Sequence, residues 1–339
     1  MCSVQKLLND PFHAVDEMLA GALCAHGDAF EILPSGRSVV TRVAEQTRRV
    51  GVITGGGSGH EPAFFGYLGR GLADGVPVGN VFASPSTRPI VEVARRLAAP
   101  DGVLFIYGNY EGDVMNFDLA AEILADEGIA SQTVVVTDDV ASAPKGRESE
   151  RRGVAGDVVV LKAAGAKADE GGDLAEVTAA ARHANERTRS AGVGLAPCTL
   201  PTAAAPTFEI ADGEMDIGMG VHGEAGIRRT ALAAADEVAD VLLGMILEDR
   251  PPAAGEPVQV LVNTLGSTTL MEAYIVLARV RSQLAHRRIE LHRALVGEYI
   301  TSLEMAGLSL TVTALDEELI RLLAAPAEPL FGPRSWPDR

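Results

Sequence analysis

Three glycine-rich segments place histidines and a carboxylate beside loops with bare backbone: ITGGGSGHEP at 53–62, GNYEGD at 108–113 and GMGVHGEAG at 218–226. A glycine run exposes backbone N–H groups and lets a small molecule approach closely. His60 and His222 bring imidazoles that near pH 7 can attack, hold or pass a proton. Asp113 brings a carboxylate at the C-terminal end of a strand pattern, where ligands gather in open α/β sheets. Each segment also has a plain alternative: a tight turn with a buried His60, a helix cap at Asp113, a structural histidine in a glycine turn.

Several familiar chemistries are excluded by spacing. The 53–62 run has no lysine at the Walker A position, and Phe64 stands where a metalloprotease HExxH needs its second histidine. The 218–226 run contains a formal GxGxxG, yet no acidic residue follows at the end of a second strand about twenty residues on, as a dinucleotide site requires. His222 and Glu224 spell HxE, but Cys198 has no second cysteine to complete a zinc deaminase signature.

The elements that must hold these residues follow from the apolar pattern. Residues 50–54, 103–107, 133–137 and 157–162 read as buried strands. Helical periodicity runs from Val114 through Phe117, Ala121 and Leu124, and again over 174–189. This alternation predicts an α/β fold whose first domain, residues 1–190, is a parallel sheet with helices on both faces. The Pro- and Gly-rich stretch 191–206 marks the boundary. Beyond it, strands at 215–219, 258–263, 289–295 and 308–312 with a helix at 270–284 predict a second, smaller mixed α/β layer in residues 191–339.

Composition narrows the function. The chain has 339 residues, and a net charge of -17 argues against nucleic acid, whose phosphates need cations to displace their counterions. Three cysteines at irregular spacing suit a reducing compartment. The start MCSVQKLLNDPF carries no apolar signal core, and prolines 197, 201 and 206 break the longest uncharged stretch. A cytoplasmic protein without a membrane span is expected.

In this order and spacing the clusters resemble the dihydroxyacetone-binding subunit of dihydroxyacetone kinases. GGGSGHEP, NYEGDVMNF, DDVA at 138–141, RRGVAG at 151–156, HGE at 222–224, NTLGST at 263–268 and TSLEMAG at 301–307 carry the resemblance from about residue 4 to residue 333. It implies a homodimer that captures a small ketose covalently, with His222 adding to the carbonyl as a hemiaminal. His60 would hydrogen-bond the substrate and Asp113 would take the proton from the reacting hydroxyl. Gly57, Ser58, Ser84 and Gly108 fall at substrate-binding positions. The resemblance implies no cofactor on this chain. ATP with magnesium, or a phosphorylated carrier, would belong to a separate nucleotide-binding kinase subunit. Where the family often reads KNY, this chain has Gly108-Asn109-Tyr110, and Ala225 stands where proline is common. The lost ammonium leaves space for a larger or differently hydroxylated ketose such as erythrulose or apulose. The alternative function is a ketose sensor or co-regulator without turnover.

Overall fold

The computed structural model describes residues 5–42 and 48–331. The first half begins with α1 (Ala14–His26), β1 (Phe30–Ile32), β2 (Ser38–Thr41), β3 (Gly51–Thr54), β4 (Gly56–Ser58) and β5 (Gly75–Val81). It continues with α2 (Thr87–Leu97), β6 (Val103–Gly108), α3 (Glu111–Asp126), β7 (Ser131–Val136), α4 (Gly156–Asp169) and α5 (Leu174–Arg187). Its sheet runs β1-β2-β5-β3-β6-β7, with β4 beside β5. The pairs β5–β3, β3–β6 and β6–β7 are parallel, while β1 and β2 form an antiparallel edge. Strands buried on both faces read as unbroken apolar runs, which is why VIT and VLFIY are legible. Ile53, Phe105 and Tyr107 pack under α2 and α3, and Val52, Leu104 and Ile106 face the core shared with α4 and α5.

One expected strand is a helix. Residues 157–162 lie in α4, whose residues from Gly156 to Ala166 are buried without exception. This helix sits between the two sheets, so it has no polar face and no amphipathic period to mark it. A short run that is apolar between its ends, here Asp157 and Lys162, does not distinguish a buried helix from a buried strand.

The second half contains β8 (Thr188–Ala196), β9 (Glu214–Ile217), β10 (Arg228–Ala231), α6 (Ala235–Asp249), β11 (Val258–Thr264), α7 (Leu270–His286), β12 (Leu291–Gly297), β13 (Ala306–Ala314) and α8 (Glu317–Ala324). Its sheet order is β10-β9-β8-β13-β11-β12, mixed in direction, with β11–β12 the parallel pair. Helices α6 and α7 bury Leu242, Ile246, Val276 and Val280 against Val260 and Leu310. The opposite face turns Thr188, Ser190, Thr311 and Thr313 inward, paired across strands at 3.0 Å (Thr188–Thr313) and 2.7 Å (Ser190–Thr311). These pairs keep buried hydroxyls satisfied where the sheet meets the first half.

Residue 190 falls inside β8, and the chain later crosses back. Leu319, Leu322 and Leu323 of α8 join the first core. The Lys162 ammonium of α4 donates to the Leu322 carbonyl at 2.8 Å, and Arg293 donates to Leu323 at 2.7 Å, closing the C-terminal end of α8. Among the described residues no helix is long and apolar enough to cross a membrane.

Candidate active site

Both halves supply the site. The chain leaves β3 and enters the glycine run, where Gly57 packs against the backbone of the next loop: a Cβ there would lie 2.6 Å from the Ala83 nitrogen. Only glycine permits this approach. Ser58, with its hydroxyl donated to Gly79 O at 2.8 Å, ties the run to β5 and does not line the cavity.

His60 follows at once and is 3 % exposed. Its Nδ1–H donates to Thr301 O at 2.7 Å, and Phe82 stacks on its ring at 4.7 Å. Phe82 holds this position with a left-handed backbone, φ 55°. His222 reaches the same place from the loop after β9. Its Nδ1 bonds Glu224 Oε1 at 3.0 Å, its backbone N–H donates to Glu224 Oε2 at 3.0 Å, and its Nε2 lies 3.0 Å from His60 Nε2. Tyr110 and Phe82 present rings to it at 4.7 and 5.2 Å.

The partners fix the tautomers. A carbonyl and a carboxylate face the two Nδ1 atoms, so both Nδ1 atoms are protonated. Two lone pairs would then confront each other at Nε2, and a 3.0 Å contact is a hydrogen bond only with one proton shared between the rings. Burial, then the neighbouring His222, lowers the His60 pKa to about 3. Burial alone would raise Glu224, but the hydrogen bond and charge of His222, aided by Arg152 at 3.9 Å, hold it at about 2. Glu224 is therefore a carboxylate, and its two bonds to His222 fix the orientation of that ring.

Asp113 is the third residue of α3. Tyr110, not Asp113, occupies the N-cap, so the carboxylate is free of capping duty. It is 9 % exposed, and its Oδ1 has no hydrogen-bond partner. Burial raises its pKa to about 6, against the pull of a Ser84 hydrogen bond and of His222. The Ser84 hydroxyl donates to Pro85 O at 3.2 Å and accepts from Asn116 Nδ2 at 3.1 Å, and Ser84 does not line the cavity described below.

His60, His222, Asp113, Gly57 and Gly108 line one small, narrow cavity. Asp157, Tyr110 and Phe64 line it too, and sequence reasoning did not name them as site residues. No group of three or more His, Cys, Asp or Glu suited to a metal occurs among the described residues.

Two imidazoles joined at Nε2 and a carboxyl poised near neutrality put nucleophilic nitrogen and a base in one cavity. The family model for the Dak1 domain matches residues 20–331. The chain belongs to the Dak1 family. It is 45 % identical over 326 residues to the dihydroxyacetone-binding subunit DhaK of the PTS-dependent dihydroxyacetone kinase 2 of Listeria innocua, covering 96 % of this chain and 98 % of that one. It is 46 % identical over 323 residues to the D-erythrulose kinase of Mycolicibacterium smegmatis, covering 95 % of this chain but 55 % of the longer enzyme. Among solved structures, the dihydroxyacetone kinase of C. freundii in complex with AMP-PNP and Mg2+ superposes with a TM-score of 0.88 at 32 % identity, over 98 % of this chain and 61 % of that one. A dihydroxyacetone kinase operon co-activator, DhaQ, superposes with a TM-score of 0.86 at 32 % identity, over 92 % and 96 %.

Proposed function

We propose that this Dak1 protein is the ketose-holding, catalytic subunit of a small-ketose kinase, and that it grips its substrate through His222. The observation that carries the reading is the Nε2–Nε2 contact of His222 with His60, each ring pinned by its own Nδ1 partner. When a carbonyl carbon displaces that contact, the His222 Nε2 lone pair forms the N–C bond and the C=O π pair moves to oxygen. The shared proton leaves on His60 Nε2, which binds it weakly, and passes from there to that oxygen, giving a hemiaminal hydroxyl. The ring keeps its Nδ1 proton against Glu224, so the charge balances without an outside acid. Nε2 then carries no hydrogen, the adduct cannot lose water to a Schiff base, and capture is reversible. A polyol without a carbonyl is not held.

Asp113 then takes the proton of the terminal hydroxyl as that oxygen attacks phosphorus. A pKa near 6 leaves it ionised at neutral pH yet basic enough to help. Phosphoryl transfer needs mainly positioning and charge stabilisation. The donor, ATP with magnesium or a phosphorylated carrier, is assigned to a partner subunit. The match to nearly all of a separate Listeria subunit, but to 55 % of a single-chain erythrulose kinase, supports that division. Dihydroxyacetone and erythrulose are the candidate substrates, the protomer is expected to pair as a homodimer, and the setting is cytoplasmic.

Intact-protein mass spectrometry with either ketose tests the grip: an adduct is expected in the wild type and absent in His222→Ala. An adduct that survives this substitution overturns the assignment. The likeness to an operon co-activator favours a second reading, ketose sensing without turnover. Phosphorylation of ketose by the protein reconstituted with a kinase partner separates the two.

A further inference from the structure

Asp157 is the one cavity-lining carboxyl that the proposed chemistry leaves unused. It sits in the first turn of α4, but it does not cap that helix. Asp138 does so, accepting Val154 N–H and Gly156 N–H at 2.8 Å each. Asp157 is 6 % exposed and lines the cavity with His222 and Asp113. Its Oδ1 is buried without a hydrogen-bond partner. Its Oδ2 lies 3.1 Å from where a Cβ on Gly108 would stand, and a Cβ on Gly153 would come within 2.9 Å of Oδ1. Glycine at both positions therefore bares this carboxyl, and Gly108 is the position where the resemblance led one to expect a lysine.

A buried polar atom left unpaired is costly, and a protein retains one where a ligand completes it. Burial, then the charges of Asp138 and Asp113, raises the Asp157 pKa well above the usual carboxyl range. The group is thus a neutral acid that donates one hydrogen bond and accepts another. That is the complement of an alcohol, and it adds no second negative charge beside the reacting oxygen.

We propose that Asp157 is a specificity-determining residue that binds a hydroxyl beyond the carbonyl and reacting hydroxyl, so that the pocket selects ketoses of four or more carbons over dihydroxyacetone. This rests on the ketose-kinase reading. His222 and Asp113 already account for the two functional groups every such substrate shares, and glycine at 108 leaves the Asp157 carboxyl uncovered. The selection is hydrogen-bonded as well as steric: a substrate without the additional hydroxyl leaves Asp157 unpaired on binding.

Dissociation constants of the purified protein for dihydroxyacetone and for D- and L-erythrulose, from calorimetry with adduct mass as a cross-check, test it. Wild-type protein should bind one erythrulose enantiomer at least about tenfold more tightly than dihydroxyacetone. Asp157→Ala should reduce that ratio about tenfold, and Asp157→Asn, which keeps a donor and an acceptor, should retain most of it. Gly108→Ala, whose Cβ would stand 3.1 Å from Oδ2 and cover the carboxyl, should reduce the ratio as well and carries the test if Asp157→Ala fails to fold. A ratio unchanged in these variants, because both constants move together or neither moves, overturns the proposal. Absence of any adduct in the wild type removes the ketose reading itself and this inference with it.

Discussion

Asp113 makes a prediction in which activity and stability move in opposite directions. Replacing it by asparagine removes the proposed base, so turnover with the phosphoryl-donating partner should fall by about 100-fold or more. The same change should stabilise the fold at neutral pH. The folded protein holds the Asp113 proton up to about pH 6, whereas the ordinary carboxyl value is 3.8. Between these values the native state binds more protons than the unfolded chain, so stability falls as pH rises through this window. Below it the carboxyl is neutral in both states and costs nothing. Above it the full cost applies: a rise of about two pH units at about 1.4 kcal/mol each, or about 3 kcal/mol. Asparagine cannot ionise and escapes this cost. Urea unfolding of both proteins from pH 3.5 to pH 8 should show equal stabilities at the acid end and an advantage for Asp113→Asn of up to about 3 kcal/mol above pH 7. An advantage that does not change with pH, or a variant less stable at pH 7.5, would refute the reasoning.

Three other substitutions probe the frame around the site. Glu224→Gln can place an amide N–H against Nδ1 of His222, moving the ring proton to Nε2 and removing the attacking lone pair; stopped mass-spectrometric time courses should show adduct formation slowed at least about tenfold. Gly57→Ala drives a Cβ to 2.6 Å from the Ala83 nitrogen and 2.9 Å from the Phe82 Cα. Because backbone cannot yield as a side chain does, a loss of about 1–3 kcal/mol and a weakened adduct are expected in thermal melts and mass spectra. Arg151→Ala removes a two-pronged pair to Asp249 at 2.6 and 3.0 Å. Arg189 still reaches Asp249 at 2.7 Å, so the loss by urea unfolding should be about 2–3 kcal/mol, below that of a fully orphaned buried charge.

The sequence made the three chemical loops legible because each is rich in glycine and follows a strand, two of them after unbroken apolar runs. His60, Asp113 and His222 could be named, and they meet. Other features depend on distances that no local pattern encodes. The α4 segment lacks a polar face because it lies between two sheets, so its helix hides inside an apolar run. Ser58 shares a motif with His60, but alternation along β4 turns its hydroxyl to Gly79. Asp157 reads as the first residue of an expected strand until Gly108, forty-nine positions earlier, is seen to leave it uncovered. Phe82 and Tyr110 become walls around the histidines only through tertiary contact.

The return of α8 to the first core has a mechanical consequence. Nucleophile and base belong to different sheets, so a rigid slide between the halves would leave every strand intact while changing the gap across which a bond must form. A misplacement of about 1 Å is enough to slow such chemistry about a hundredfold. By running from the end of β13 onto α4, with Lys162 and Arg293 fastening its last turn, the C-terminal helix works as a strap that sets that gap.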